Sequence, residues 1–243
     1  MTHASLCFLS YERPQFLEMA IVSAVEMAAP EKLEVIVHDD GSTNLDVHRV
    51  LEALLAAGYV STIIKNPPGH NEGVGRAINR SFALATGDPI LKLDQDLIFK
   101  PGWLQKARAI LENDRVGMLG LFRYWVDPVD HRKMEIPWTN PVWSGPGVPY
   151  HYVKDFVGSA MVIPRAILDK FGPFEEHSTA FAEDLAYKTK LCGCGYQLAL
   201  ADEDLATNQG FGVGPSTVVV AGEDGRPTVH RINEKPRLVG GNE

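Results

Sequence analysis

The feature that most constrains this chain is an alternation of short apolar segments with polar strand ends in its first 100 residues. The apolar segments span residues 4–10, 33–38, 60–65 and 89–93, and each is followed by polar or acidic residues. In the stretches between them, apolar residues recur every three or four positions, which indicates amphipathic helices. Strands that alternate with helices predict a parallel sheet covered by helices.

Length and composition predict one α/β domain. The chain has 243 residues, of which 45% are hydrophobic and 22% are charged. A single core remains sufficient up to about 250 to 300 residues, and this balance is typical of a folded protein. We therefore expect one domain over residues 1–243 with a sizeable core.

The charge balance excludes some classes of partner. The formal net charge is −8, which argues against a broad nucleic-acid surface or an anionic membrane as partner. No apolar stretch reaches the roughly 18 residues of a membrane span, and the first residues do not resemble a signal peptide. We expect a cytoplasmic protein without a membrane span.

The three cysteines, Cys7, Cys192 and Cys194, are expected to be reduced thiols because their spacing matches neither a zinc knuckle nor a redox pair.

The second half of the chain is less regular than the first. Residues 125–152 are rich in Pro, Trp, Tyr and Gly without a period, which indicates a long excursion or lid. Residues 156–163 and 196–201 predict further strands, and a helix is expected to start near Ala182 to Asp184. After Gly222 the composition predicts a loose arm or a partly ordered flap.

Acidic residues follow two of the predicted strands. Asp39 and Asp40 end one strand, and Asp94 and Asp96, separated by Gln95, end another. The carboxyl ends of parallel strands meet at one edge of a sheet, where ligands bind. Asp94 and Asp96 can share one hard cation, which would bridge a diphosphate and stabilise it as a leaving group. The alternative is that these residues only form turns, in which Asp is common.

Further polar residues are candidates for ligand binding. Arg13 follows the first strand, and Asn71, Gly73 and Arg76 open the third helix, where backbone donors and an arginine suit an anionic or polar ligand. Arg76 alone is equally explained as a surface residue.

Acidic and aromatic residues of the second half are candidates for acceptor chemistry. Glu183 and Asp184 stand at a predicted helix start. One interpretation is structural, because the helix dipole stabilises negative charge at this end. The other is that one of the two acts as a general base toward an acceptor hydroxyl. Aromatic faces of the irregular segment either stack on sugar rings or belong to the core. These residues are Trp138, Trp143, Tyr150, His151 and Tyr152.

The ordered motifs from about Ser5 to about Ala201 resemble the family 2 glycosyltransferases with the GT-A fold. The motifs are Ser10-Tyr11-Glu12-Arg13-Pro14, Asp39-Asp40-Gly41-Ser42, Asn71-x-Gly73 with Ala77 and Asn79, Asp94-Gln95-Asp96, and Glu183-Asp184. The resemblance implies a Rossmann-like, mixed and mainly parallel sheet flanked by helices. It also implies a nucleotide-binding half over residues 1–100, an acceptor-side half over residues 101–221, and a tail or flap over residues 222–243.

The resemblance implies specific roles for these residues. Asp39 or Asp40 contacts the nucleoside, Asp94 contacts the ribose or a metal-bound water, and Asp96 binds Mn²⁺ or Mg²⁺ through the diphosphate. Asp184 resembles the catalytic base of a single, inverting displacement. From the motifs and the resemblance together, the expected donor-binding residues are Ser10, Arg13, Asp39, Asp40, Asn71, Gly73, Arg76, Asp94 and Gln95, and the expected metal ligands are Asp94, Asp96 and Asn208.

Two positions depart from the family pattern. Glu12 stands where the family usually has Asn, which changes either a donor contact or only the loop. Many relatives supply a histidine as a further metal ligand after the last core strand, where this chain has Asn208. Either Asn208 ligates through its carbonyl oxygen, or His230 folds back from the tail.

The expected function is therefore a metal-dependent, inverting transfer of sugar from a nucleoside diphosphate sugar, with a UDP sugar favoured, to an acceptor hydroxyl of unknown class. One alternative is a retaining transferase on the same fold. The other is a nucleotide-sugar or glycan-binding domain that has lost turnover, for which the missing histidine is the best support.

Overall fold

A computed structural model describes residues 3–126, 133–135, 147–176, 182–209, 217–221 and 227–231. The helices are α1 (Pro14–Met27), α2 (Leu45–Ala56), α3 (Val74–Leu84), α4 (Trp103–Leu111), α5 (Arg165–Phe171) and α6 (Ala182–Gly193). The strands are β1 (Ala4–Ser10), β2 (Leu33–Asp39), β3 (Thr62–Lys65), β4 (Ile90–Asp94), β5 (Leu97–Phe99), β6 (Val116–Gly120), β7 (Tyr124–Val126), β8 (Lys133–Glu135), β9 (Tyr150–Val153), β10 (Ala160–Ile163), β11 (Gln197–Ala201), β12 (Ala206–Asn208), β13 (Thr217–Ala221) and β14 (Pro227–Arg231).

Eight strands form the central sheet, in the order β3-β2-β1-β4-β10-β6-β11-β9. The first four strands of this order run parallel to one another, and β11 runs parallel to β6. β10 is antiparallel to both of its neighbours, and β9 is antiparallel to β11 at the edge. The mixed, mainly parallel α/β sheet that the sequence predicts is confirmed.

Both faces of the sheet are covered by helices. In β1, Leu6 and Phe8 pack on the face covered by α1, α2 and α4, whereas Cys7 packs on the face covered by α3, α5 and α6. Strands that are buried on both faces need apolar residues at consecutive positions. This requirement explains why the sequence of the first half shows apolar runs instead of an apolar–polar alternation.

The helix starts that flank the strand ends have local causes. Pro14 opens α1, where its missing amide hydrogen costs no hydrogen bond. The Asn44 side chain accepts a hydrogen bond from the Asp46 amide and caps α2. α3 begins after Gly73, whose φ of 89° favours glycine. The loops before α2 and α3 are thereby fixed at the carboxyl edge of the sheet.

The structure corrects two expectations of the second half. The strand expected over residues 156–163 is wrong in its first part, because Gly158 and Ser159 form a turn and β10 starts only at Ala160. The segment expected to be irregular contributes β9 to the sheet, and β8 within it pairs with β7 in antiparallel fashion. In the segment expected to be a loose arm or a partly ordered flap, residues 227–231 form β14, which pairs with β13. Trp138 and Trp143 lie outside the described residues.

No helix in the described ranges has the length and apolarity needed to cross a bilayer. All three cysteines are free: Cys7 is buried in β1, and Cys192 and Cys194 are exposed around the end of α6. Burial raises the pKa of the Cys7 thiol well above its ordinary value. The buried thiol is therefore a packing residue of the core.

Gly87, which lies before β4, is expected to tolerate no side chain. A Cβ there would lie 2.6 Å from the His3 carbonyl oxygen and 2.8 Å from the Ala4 carbonyl carbon. We predict that Gly87→Ala lowers the free energy of unfolding by about 1 to 3 kcal/mol, as overpacking does. Urea denaturation measures the change. Gly193→Ala is the control, because its Cβ meets nothing within 4 Å; equal unfolding midpoints for the two variants would contradict the prediction.

Candidate active site

The carboxyl ends of three neighbouring strands bring several predicted site residues together. In the register of the sheet, Ser10 of β1 pairs with Asp39 of β2, and Leu9 pairs with Asp94 of β4. Asp40 follows directly, and its amide donates a 3.0 Å hydrogen bond to the Ser10 carbonyl. The two acidic motifs therefore lie at one edge of the sheet, on either side of β1.

Asp39 is fully buried. Its Oδ1 accepts hydrogen bonds from the Ser42 hydroxyl at 2.5 Å and the Ser42 amide at 3.3 Å. Its Oδ2 lies 3.6 Å from Nδ1 of His48. Among the described residues, Oδ2 of Asp39 and the buried hydroxyl of Ser10 have no hydrogen-bond partner. Two buried polar atoms at the ends of β1 and β2 therefore lack a partner, which is uncommon for buried groups.

Asp40 holds the loop that precedes α3. Its carboxylate accepts hydrogen bonds from the Asn66 side chain at 2.8 Å, the Glu72 amide at 2.8 Å and the Gly73 amide at 3.1 Å. Asn71 also accepts from the Gly73 amide, at 3.1 Å. Asp40 is therefore a positioning residue in this structure, and the loop carrying Asn71 and Gly73 depends on it.

The loop between β1 and α1 is hydrogen-bonded to the Asp94-Gln95-Asp96 motif. The Gln95 side chain accepts from the Tyr11 amide at 3.1 Å and donates to the Tyr11 carbonyl at 2.8 Å. Arg13 donates to Oδ2 of Asp96 at 3.2 Å. Gln95 thus fixes the backbone of the loop, whereas Arg13 places a positive charge beside the acid.

Asp94 is paired with a lysine that the sequence analysis missed. Lys92 Nζ donates to Oδ1 of Asp94 at 2.5 Å and to the Gly158 carbonyl at 2.8 Å. Lys92 is buried, whereas the Asp94 side chain is one-third exposed. The sequence does contain a signal for this pair. Lys92 is a charged residue inside an apolar strand, and residues two positions apart in a strand, such as Lys92 and Asp94, point to the same face.

Asp96 is the most perturbed acid of the site. It is 8% exposed, and Asn208 Nδ2 donates to its Oδ1 at 3.2 Å. Burial and the neighbouring Asp94 charge raise the pKa of Asp96 to about 6, although Arg13 acts in the opposite direction. A carboxylate held in this way is one that a cation would stabilise in its charged form.

Asp184 lies in the first turn of α6, directly above Gly158. A Cβ on Gly158 would lie 2.9 Å from Asp184 Cγ, so only glycine allows this approach. The Gly158 carbonyl accepts from Lys92, which also binds Asp94. The Asp94 amide donates to the Ser159 carbonyl at 2.8 Å. The two residues directly before β10 therefore connect the end of β4 with the predicted base.

A second buried lysine, also missed, orients Asp184. Lys188 is 3% exposed and donates to Oδ2 of Asp184 at 2.9 Å and to Oδ1 of Asp155 at 2.7 Å. It also binds the Phe156 carbonyl and lies over the Phe156 ring. The second Asp184 oxygen accepts from the Leu185 amide at 2.8 Å. The base candidate is therefore held in one orientation.

Comparison with known families bears on this arrangement. Residues 5–175 match the family described as glycosyl transferase family 2. The chain belongs to this family. The matched range contains the β1, β2 and β4 strand ends and the start of β10, and it ends before Asp184.

Relatives and solved structures agree with the family and its fold. An uncharacterized glycosyltransferase of Haemophilus influenzae is 24% identical over 185 residues, which are 75% of this chain and 56% of that protein. The mannosyltransferase PcManGT from Pyrobaculum calidifontis, in complex with GDP-Man and Mn²⁺, has a TM-score of 0.65 at 18% identity, over 88% of this chain and 59% of that chain. GalNAc-T7 with UDP, GalNAc and Mn²⁺ has a TM-score of 0.68 at 16% identity, over 88% of this chain and 45% of that chain.

The similarity to solved structures establishes the fold of the chain. At such identities the solved structures show the fold, and the GT-A fold that the resemblance implied is confirmed. The chain spans about half, or less, of the length of the curated relatives it matches. The activity and substrates of the whole protein are therefore proposals.

The structure gives a reason for the departure from the family pattern at Glu12. The Glu12 carboxylate accepts from the Thr43 amide at 2.6 Å, the Thr43 hydroxyl at 2.8 Å and the Asn44 amide at 3.0 Å. Burial raises its pKa, but these hydrogen bonds outweigh burial and lower the pKa overall. Glu12 has a φ of 59° and ties the first loop to the start of α2. The Glu12 side chain at this position is thus explained by the hydrogen bonds that hold the loop to α2.

The structure also locates the two candidates for the further metal ligand. Asn208 lies on β12, and the side-chain amide nitrogen faces Asp96, so ligation through the carbonyl oxygen requires the amide to rotate. His230 lies on β14, and its side chain is outside the described part of the chain.

Other candidate residues have defined surroundings. Arg76 is 61% exposed on its side chain and pairs with Glu176 at 3.1 Å. Tyr150 is buried, and its hydroxyl lies 2.5 Å from the Asn113 side chain. His151 contacts Asp202 at 2.8 Å. Tyr150 therefore packs in the core, as one of the two interpretations expected.

The raised pKa of Asp96 predicts a pH dependence of stability without metal. The folded protein binds this proton more tightly than the unfolded chain, so Asp96 lowers stability as pH rises from about 4 to about 6. We predict that Asp96→Asn raises the free energy of unfolding by about 1 to 3 kcal/mol at pH 7.5 and has little effect at pH 4. Denaturation in EDTA at both pH values measures it. Asp114→Asn, at an exposed acid, is the control; an equal gain at both pH values would contradict the assignment.

Proposed function

We propose that the protein transfers a sugar from a nucleoside diphosphate sugar to an acceptor hydroxyl. The observation that carries the proposal is the connection of Asp94 to Asp184 through Gly158 and Ser159. It gives a donor-side acid and a general base a common support. A transferase needs both groups at one reaction centre, whereas a domain that only binds a nucleotide sugar does not need a fixed base.

The donor nucleotide is proposed to lie along the ends of β1, β2 and β4. Ser10 and Asp39 offer unpartnered buried oxygens to the nucleoside, and Arg13 can exchange its bond to Asp96 for the diphosphate. One neighbouring structure holds GDP-Man and the other UDP. We propose a UDP sugar for this chain, with Asn71, Gly73 and Arg76 on the same side of the donor.

The residues around Asp96 fit the Mn²⁺ or Mg²⁺ of the proposed reaction. Oxygen donors suit both ions, and Asp96 is a buried acid whose charged form is destabilised by burial and by Asp94. Asp96 and Asp94, with Asn208 after rotation of its amide, would hold the ion. The ion, when bound, supplies stabilisation of the negative charge on the departing diphosphate.

The acceptor chemistry is proposed to depend on Asp184. Its carboxylate takes the proton of the acceptor hydroxyl while the hydroxyl oxygen forms a bond to the anomeric carbon of the sugar. The bond from that carbon to the diphosphate oxygen breaks, and the nucleoside diphosphate leaves. Attack from the face opposite the diphosphate inverts the anomeric configuration. Lys188 keeps the carboxylate in place during this step.

The donor site is tested by nucleotide binding, which needs no acceptor. We predict that UDP binds more tightly than GDP in Mn²⁺, and that EDTA or Asp96→Ala weakens UDP binding at least tenfold, because the bridge between acid and diphosphate is lost. Isothermal titration calorimetry measures both. Asp114→Ala should bind like the unsubstituted protein. Equal UDP binding with and without Asp96 would refute the metal assignment.

The base is tested by a variant that keeps its shape. Asp184→Asn should leave UDP affinity unchanged within twofold and lower the release of UDP from a bound UDP sugar by about 10² to 10⁴, the contribution of a general base. Release is followed with simple sugars as acceptors and with water. Asp155→Asn is the control, because Asp155 shares the Lys188 contact but is half-exposed. Full activity of Asp184→Asn would exclude it as the base.

A further inference from the structure

Three potential metal ligands meet beside the nucleotide loop, apart from Asp94 and Asp96. His38 lies in β2, and Asp40 follows the last residue of that strand. Glu72, from the loop before α3, completes the set. One ligand atom from each residue lies within 4.8 Å of the other two.

His38 has the unusual environment in this cluster. It is 0% exposed, and neither ring nitrogen has a hydrogen-bond partner in the described part of the chain. Its Nε2 lies 3.1 Å from Oε1 of Glu72, outside hydrogen-bond geometry. A buried polar group without a partner destabilises the folded state, and a ligand at this nitrogen would offset that cost. Burial lowers the pKa of His38, although the neighbouring Glu72 carboxylate acts in the opposite direction.

The spacing of the ligand atoms suits a shared ion. Zinc binds imidazole nitrogen and carboxylate oxygen at about 2.0 to 2.2 Å, so two ligand atoms of a tetrahedral site lie about 3.3 to 3.6 Å apart. The 3.1 Å between His38 Nε2 and Glu72 Oε1 is slightly shorter than this separation. The Asp40 oxygen lies within 4.8 Å of both atoms and would have to move closer to complete the set.

The surroundings of the cluster orient the two acids. Arg80 donates to Oε1 of Glu72 at 2.9 Å and to the Asn66 side chain at 2.7 Å. Its side chain is 48% exposed, so water screens much of its charge. Amides of Glu72 and Gly73 fix the Asp40 carboxylate. Outer hydrogen bonds of this kind are usual around metal-binding carboxylates.

We propose that His38, Asp40 and Glu72 bind one zinc ion, which fastens the loop before α3 to the end of β2. Imidazole nitrogen and carboxylate oxygen are both zinc ligands, and three protein ligands with water in the fourth position is the arrangement of an open zinc site. The ion would stabilise the loop that carries Asn71 and Gly73. The site is separate from the proposed Mn²⁺ or Mg²⁺ site, and of its three residues only Asp40 is among the donor-binding residues that the sequence predicts.

The test uses the full chain with Asp96→Ala, so that the other metal site is removed. After treatment with a chelator, ZnCl₂ is added while the bound zinc per chain and the thermal midpoint are measured. We expect one zinc per chain and a higher midpoint, because an ion that binds only the folded state stabilises it. In the same background, Glu72→Gln and His38→Gln should weaken zinc binding at least tenfold, whereas His70→Gln, in the same loop, should not.

Two results would overturn the proposal: no zinc bound to the folded protein, or zinc binding that neither Glu72→Gln nor His38→Gln weakens. If His38→Gln does not fold, Glu72→Gln decides, because Glu72 is partly exposed. The absorption spectrum of bound Co²⁺ gives a second readout, since it changes when a protein ligand is lost. Nucleotide binding is measured separately with Asp96 present, so failure of the proposed function and failure of this site are distinguishable.

Discussion

The hydrogen bond from the Asp94 amide to the Ser159 carbonyl determines where the candidate site forms. It exists because β10 enters the sheet antiparallel to β4 and begins where β4 ends. Gly158 then lies between the two halves of the site: its carbonyl binds Lys92, and its missing side chain leaves room for Asp184. A larger residue at position 158 would separate the base from the strand ends.

Each of the three acids nearest the proposed reaction centre contacts a basic side chain. The pairs are Lys92 with Asp94, Arg13 with Asp96, and Lys188 with Asp184. Two of these bases are nearly inaccessible to water, which makes their charges costly to leave unpaired. Each of these three acids therefore already has a basic partner before a ligand binds. A donor and its metal would have to replace some of these contacts, which favours ligands that carry both a diphosphate and a divalent ion.

The sequence predicted the parts of the site that depend on local patterns. The position of Asp39, Asp40, Asp94 and Asp96 follows from the apolar strands before them, because the carboxyl ends of parallel strands lie at one edge of a sheet. The predicted sheet is confirmed. Contacts between distant segments were not predictable, because nothing local marks a lysine at position 92 as the partner of a carbonyl 66 residues away. The antiparallel entry of β10 was missed for the same reason, since its apolar residues suit either direction.

The most direct test of the proposed site is a crystal structure of the protein with UDP and Mn²⁺, with the metal located by its anomalous scattering. Our proposal predicts an Mn²⁺ peak within coordination distance of the Asp96 carboxylate. It also predicts the diphosphate between that peak and Arg13, and the base of UDP near Asp39. A nucleotide bound away from the ends of β1, β2 and β4, or a nucleotide bound there with no metal at Asp96, would contradict it.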